Sequence, residues 1–260
     1  MRDSWQQRID RAAHLAEQDA AARPLLDVYG QLLRLQCDCY ETLQRRADRF
    51  TGSLDSDLAA VRPCIAPMLS AVTAIGPPRL VEEAGRILDG APTAIDAMLL
   101  AGWHAPAGQQ FFPKIALQPY AQYLAATDVR PIGRDRPRGK YSCPFCGGAP
   151  QLSILESAGE GDGGSRQLLC ATCFTRWPFP RVRCAHCGEE DQRRLGYYRS
   201  AVFDHLRVDA CDTCKRYLKT VDLSRLGIAV PIVDEVAGAA LDLWAREHDY
   251  QKIELNLVGL

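Results

Sequence analysis

The sequence has almost no net charge. Over 260 residues, 31 Lys and Arg stand against 32 Asp and Glu, a formal balance of −1. That removes any global electrostatic pull toward nucleic acid or an anionic membrane. Long hydrophobic runs are missing too: no uninterrupted apolar stretch approaches the ~20 residues that cross a bilayer. The opening residues, Met1-Arg2-Asp3-Ser4-Trp5-Gln6-Gln7-Arg8, have no apolar core of the kind a secretory signal carries. A cytoplasmic location without a membrane span is the expectation. There is no Gly-rich phosphate loop, no Ser/His/Asp constellation, and no Asp/Glu spacing that singles out an acid–base pair. Nothing in these absences points to an enzyme.

What is present is an ordinary globular composition, 47% apolar and 24% charged, together with eleven cysteines. Eight of them form four C-x-x-C pairs: Cys143/Cys146, Cys170/Cys173, Cys184/Cys187 and Cys211/Cys214. The pairs repeat with an offset of 41, so that each half reads C-x2-C-x23-C-x2-C. In a reducing cytosol such pairs read as metal ligands or redox groups before structural disulfides. Disulfide exchange calls for a thioredoxin-like βαβ context, and none is visible. A C-x-x-C segment folds into a tight turn that aims both sulfurs at one point. Gly147 and Gly188 follow the first and third pairs and relax that turn. Two facing knuckles give a closed tetrahedral site of four thiolates, which suits zinc or a single iron. The repeat favours a local arrangement: Cys143/Cys146 with Cys170/Cys173, and Cys184/Cys187 with Cys211/Cys214. A cross-braced arrangement, first pair with third and second with fourth, stays open.

The expected fold class is α+β. An all-helical domain occupies 1–127. Its helices are expected near the start, where Trp5, Ile9, Ala12 and Ala16 follow a cap at Asp3 or Ser4, then over 24–52, 64–75, 79–89, 93–103 and 113–126. In the second of these, Leu25, Val28, Leu32, Leu35, Cys39 and Leu43 form the apolar stripe. A basic Pro/Gly linker spans 128–140 and reads as a solvated connector, with a docking strip for an acidic surface as the sharper reading. Two tandem zinc-ribbon-like four-Cys metal modules follow at 141–181 and 182–222, the first with a flexible hairpin loop over 158–165. A C-terminal helix, expected over about 231–249, and a tail fill 223–260. Its inward face is expected to carry Val233, Val236, Ala240, Leu241 and Trp244. Cys37, Cys39 and Cys64 read as core or half-buried residues, and His186 as pointing away from its knuckle. His205 reads as an exposed loop residue, and Trp177, Phe179 and Tyr198 as packing around the metal modules.

The cysteine motifs in their context resemble a known family. Cys143-Pro144-Phe145-Cys146-Gly147-Gly148, then Cys170-Ala171-Thr172-Cys173 followed by Trp177, Arg181, Cys184 and Cys187, and then Asp209-Ala210-Cys211-Asp212-Thr213-Cys214-Lys215-Arg216-Tyr217-Leu218-Lys219, resemble the formate dehydrogenase accessory protein family, FdhE. The similarity is most specific over about 143–245. It implies a cytoplasmic accessory factor that is not itself an enzyme. Such a factor interacts with the catalytic subunit of formate dehydrogenase and supports production of the active enzyme. It further implies rubredoxin-like modules holding iron in two mononuclear sites, with the eight cysteines as ligands. Two other readings stand beside it. A zinc-ribbon protein that binds nucleic acid would need a phosphate track, but residues 141–221 carry 11 Lys and Arg against 9 Asp and Glu. A rubredoxin-like redox protein would need a substrate or partner site that the sequence does not display.

Overall fold

The computed structural model describes residues 4–46, 50–104, 110–134, 141–157, 164–199 and 202–260. Ser4 is the cap of the first helix, α1 (Trp5–Gln18). Its hydroxyl accepts from the Gln7 amide at 3.1 Å, and the Gln7 side chain accepts from the Ser4 amide at 2.7 Å. Helix α2 (Arg23–Arg45) starts one residue before Pro24, which lies in its first turn, and stops at Arg45, well before residue 52. Its buried line is Leu26, Tyr29, Leu32, Leu33, Gln36, Cys39 and Leu43, so Leu25, Val28 and Leu35 fall at the half-buried margin of the expected stripe.

The next segment holds a helix that the sequence reading missed. Helix α3 (Leu54–Val61) runs through a short 3-10 turn at Arg62–Cys64 into α4 (Ile65–Ile75). By length and composition Leu54–Ile75 could cross a membrane, with a mean hydropathy of 1.6. Its apolar side instead builds the domain core through Leu54, Val61, Ile65, Met68, Leu69 and Val72. Helices α5 (Pro78–Leu88), α6 (Pro92–His104) and α7 (Phe111–Ala126) complete the helical region. Cys39 and Cys64 are buried there and Cys37 is half-buried.

Among the described residues seven strands follow in one mixed sheet: β1 (Pro150–Glu156), β2 (Ser165–Cys170), β3 (Arg176–Pro178), β4 (Leu195–Arg199), β5 (Leu206–Cys211), β6 (Arg216–Asp222) and β7 (Gln251–Lys252). The order is β3-β2-β1-β6-β5-β4, with β7 parallel to β6. Each cysteine repeat therefore supplies a three-stranded antiparallel unit. The units are joined by a parallel pairing of β1 with β6, Leu152 lying opposite Lys219 and Ile154 opposite Val221. A polar chain crosses the seam: Thr220 donates to Asp209 at 2.7 Å, Arg166 reaches Asp209 at 3.2 Å, and the Ser153 and Thr220 hydroxyls bond each other.

The expected C-terminal helix is two helices, α8 (Pro231–Ala237) and α9 (Ala239–Glu247), broken at Gly238. A Cβ on Gly238 would lie 2.7 Å from the Leu206 side chain, so close packing on the sheet favours glycine at the break. The break rotates the following face: Val233, Val236, Leu241 and Ala245 are buried, whereas Ala240 is exposed and Trp244 only half-buried. A single apolar cluster links the helices to the first four-Cys module. The second module has a smaller core of its own, around Leu206, Val208, Tyr217, Val221, Leu241 and Tyr250.

Of the 128–140 linker, residues 135–140 lie outside the described residues. In the part described, Arg130 donates to the Pro144 carbonyl at 2.8 Å and sits over Phe145, and Arg134 lies over Trp103. Arg134 is half-buried, whereas Arg130, Ile132 and Gly133 remain exposed. The loop expected at 158–165 falls mostly outside the described residues, over 158–163.

Candidate metal centres

Four turns carry the eight cysteines, and they are built alike. In the first, the Cys143 amide donates to the Gly148 carbonyl at 2.8 Å and the Gly147 amide to the Cys143 carbonyl at 2.9 Å. The third repeats this, with Cys184 to Glu189 at 2.9 Å and Gly188 to Cys184 at 3.1 Å. Gly147 and Gly188 have left-handed backbones, φ 73° and 83°, as their place in the sequence predicts. The second and fourth turns adopt the same left-handed geometry without glycine, at Phe174 (φ 55°) and Lys215 (φ 54°). The sequence reading missed both. Their place could have found them, since positions 147, 174, 188 and 215 each directly follow a C-x-x-C pair.

The turns bring the sulfurs together in two groups of four, with every pair in a group within 4.8 Å. In the first centre Cys143 and Cys173 are 3.6 Å apart and Cys146 and Cys170 are 3.4 Å apart. In the second, Cys184–Cys214 and Cys187–Cys211 are both 3.7 Å. A tetrahedron with metal–sulfur bonds of roughly 2.3 Å has an edge of roughly 3.8 Å. These separations fit a metal site and far exceed the roughly 2.05 Å of a disulfide. The grouping follows the local arrangement, each half closing on itself, and not the cross-braced one. Each group could hold one metal ion. Backbone amides also aim at sulfur at matching places, Thr172 to Cys170 at 3.3 Å and His186 to Cys184 at 3.4 Å.

The crowded thiols of the first centre do not share one proton affinity. Hydrogen bonds from Cys143, Cys170 and Cys173 hold Cys146 far below the ordinary thiol range, while burial pushes Cys170 well above it. In the second centre burial raises Cys214. A cation resolves such a split by taking all four sulfurs as thiolates and releasing the protons.

The surroundings match the sequence reading in part. Trp177 and Phe179 are buried in the cluster that holds the first centre, and Tyr141 packs edge-on against Phe179 at 5.5 Å. His186 is exposed on its turn. Tyr198 departs from expectation: it lies on the surface against Trp244, ring centres 4.2 Å apart, because its strand is the sheet edge facing α9. His205 is not an exposed loop residue. It is 7% exposed, and its Nε2 is 2.8 Å from Asp234, which also binds Arg11 of α1. A paired carboxylate from α8 makes that burial affordable. Another tether escaped sequence reading. Gln118 of α7 donates to the Ala171 carbonyl inside the second turn at 2.9 Å and accepts from Gln36 at 2.9 Å.

Comparison with known proteins agrees with this geometry. The family descriptions "FdhE, central domain" and "FdhE, C-terminal domain" match residues 142–181 and 182–258, a boundary falling between the two four-Cys groups. Over these residues the chain is similar to the FdhE family. An FdhE homolog from Aquifex aeolicus is 36% identical over 120 residues, 46% of this chain and 42% of the relative. One from Pseudomonas aeruginosa is 31% identical over 122 residues, 45% of this chain and 38% of the relative. The matched part of the chain thus spans about two fifths of the length of these relatives. The crystal structure of the FdhE protein from Pseudomonas aeruginosa superposes with a TM-score of 0.70 at 22% identity, covering 99% of this chain and 97% of that one. The shared fold therefore includes the helical region, which lies outside the residues that the family descriptions match.

Proposed function

We propose that this chain is an accessory protein that binds the catalytic subunit of formate dehydrogenase and supports production of the active enzyme, without catalysing a reaction itself. The carrying observation is the pair of closed four-sulfur groups. Four thiolates fill a tetrahedral coordination sphere and leave no position for a substrate. Cys143, Cys146, Cys170 and Cys173 hold one metal in this reading, and Cys184, Cys187, Cys211 and Cys214 the other. Bound metal supplies cross-linking of the turns and fixes the surface around them. Iron is the proposed metal, with zinc as the alternative that the same donor set accepts. Similarity to the FdhE family over residues 142–258 supports the accessory role. The near-zero net charge supports a protein partner over nucleic acid, and a cytoplasmic location belongs to the same reading.

The test is anaerobic purification with metal analysis and a visible spectrum, alongside co-purification with a tagged formate dehydrogenase catalytic subunit. Red, iron-loaded protein that recovers the subunit is expected. The double variant Cys170→Ser/Cys173→Ser should lose the metal of the first centre and lower the recovery. Full metal content with unchanged recovery in that variant would overturn the reading. Colourless protein holding only zinc would overturn iron while leaving the accessory role standing.

A redox role is the second reading, favoured by the exposure of Cys187 at the second centre. It requires a reversible spectral change on reduction that alters recovery of the partner.

A further inference from the structure

A cleft of about 50 Å³ opens where the helical region meets the first metal module. Trp103 of α6, Gln110 and Lys114 at the start of α7, Thr172 of the second cysteine turn, and Arg134 line it. Its polar groups are unequally satisfied. Lys114 is bonded to the Glu254 carboxylate at 3.2 Å and to the Leu255 carbonyl, so its charge and that of Glu254 answer each other. Arg134 is different: its charge acts on the Cys146 sulfur of the first centre. Its Nε and Nη1 are buried with no hydrogen-bond partner, and so is the Oε1 of Gln110. The Arg134 guanidinium lies over the Trp103 ring at 4.5 Å, a contact that fixes the plane of the group while leaving those N–H donors unmet. The first turn of α7 adds no acidic residue, and Gln110 at its N-cap makes no capping bond. The cleft therefore presents a fixed cation with open donors beside one open acceptor.

We propose that this cleft binds a small oxyanion carrying one hydroxyl, of the size and shape of hydrogencarbonate. One oxygen at its edge accepts from an open Arg134 donor, and its hydroxyl donates to Gln110 Oε1. A buried water takes roughly 10–15 Å³ on this measure, so the cleft has room for about four non-hydrogen atoms, which excludes larger phosphoesters. Because the wall joins α6, α7 and the second cysteine turn, the bound ion would tie the helical region to the first metal module.

Thermal unfolding of the metal-loaded chain at fixed pH and ionic strength, with sodium hydrogencarbonate replacing sodium chloride, tests this, supported by titration calorimetry. The midpoint should rise by about 3 °C for each tenfold increase in hydrogencarbonate above its Kd. Arg134→Gln should abolish the rise. Gln110→Ala should weaken hydrogencarbonate while leaving the weaker acetate response unchanged. No rise beyond the chloride control, or an equal rise in Arg134→Gln, overturns the site. Acetate binding as tightly as hydrogencarbonate overturns the hydroxyl assignment. Should Arg134→Gln fail to fold, Gln110→Ala decides: equal hydrogencarbonate responses in that variant and in the unaltered chain overturn the proposal.

Discussion

The two four-cysteine centres share one plan and sit in very different surroundings. All four cysteines of the first are buried, within the apolar cluster that also holds the helices. In the second, Cys184 and Cys211 are buried, Cys214 is half-buried and Cys187 is exposed, beside a small separate core. Identical local chemistry therefore has two mechanical consequences. A metal in the first centre closes the main core, and water reaches its sulfurs only if that core opens. A metal in the second closes a satellite, with one sulfur-bearing residue already at the surface. Duplication explains the likeness: shifting β2 by 41 residues gives the bounds of β5. Packing explains the difference, because the helical region covers only the first copy.

The largest expected effect breaks this comparison most directly. Removing ligands from the first centre, as in Cys170→Ser/Cys173→Ser, should forfeit metal binding worth on the order of 10 kcal/mol and cost the main core its cooperative melt. The matching change in the second centre, Cys211→Ser/Cys214→Ser, should leave the helical melt in place while releasing the second metal. Circular dichroism melts with metal analysis of both variants decide. Equal loss of helical signal in the two would show that the surroundings do not matter. A chelator added to the unaltered chain should draw metal in two phases, the faster from the centre that contains Cys187.

The satellite core holds a buried charge quartet that sharpens the contrast. Lys219, Glu235, Asp242 and Lys252 lie together, Lys219 3.0 Å from Glu235 and Lys252 3.1 Å from Asp242. Tyr217 donates to Asp242 at 2.8 Å and Asn256 to Glu235 at 2.9 Å. Burial raises the Glu235 carboxyl, but Lys219 and Lys252 outweigh it and hold it down to about 2. A carboxyl depressed on folding contributes stability above its unfolded pKa and loses it as pH falls toward the folded value. The contribution should be full at pH 7 and fade between about pH 4.5 and 2. Glu235→Gln should cost about 3–5 kcal/mol at pH 7, because it strands buried ammonium groups. Urea unfolding of both proteins at matched pH values checks this, and the gap between them should narrow below pH 4.5. A constant gap across that range would remove the charge explanation.

How much of this was legible in the sequence depends on how local each signal is. The four cysteine turns, the grouping within each half, and the left-handed Gly147 and Gly188 are short-range features, and they were readable. So was the helical character of the first half, apart from α3, whose Asp55-Ser56-Asp57 start resembles a polar loop. The pairing of β1 with β6 joins residues about 70 positions apart and leaves no local trace. Lys219 and Lys252 look like surface residues until Glu235 and Asp242 arrive from α8 and α9, and His205 looks exposed until Asp234 does. Phe174 and Lys215 occupy a conformation that propensity alone assigns to glycine.

A smaller effect concerns the tether from α7 to the first centre. Gln118 bonds the Ala171 carbonyl within the second cysteine turn and the side chain of Gln36. Gln118→Ala leaves the Ala171 carbonyl and one of the two N–H groups of the Gln36 amide unmet, the other still bonding the Ile115 carbonyl, at a cost of about 2 kcal/mol. The loss should appear in the helical melt together with faster metal release from the first centre. An unchanged release rate would mean that apolar packing alone couples α7 to the metal site.

The smallest effect tests the point where the first module touches the second centre. Gly188 has φ 83°, and a Cβ there would lie 2.2 Å from the Tyr141 hydroxyl. Tyr141 is itself held edge-on against Phe179 of the first module. Gly188→Ala therefore imposes a left-handed alanine, at about 1 kcal/mol, and pushes the tyrosine off its place. Tyr141→Phe/Gly188→Ala retains the backbone penalty but shortens the obstructing side chain. If the ring contact matters, the double variant should recover part of the loss in a melt of the second module. If the two variants melt together, the whole cost lies in the backbone, and the second centre keeps its shape without help from the first.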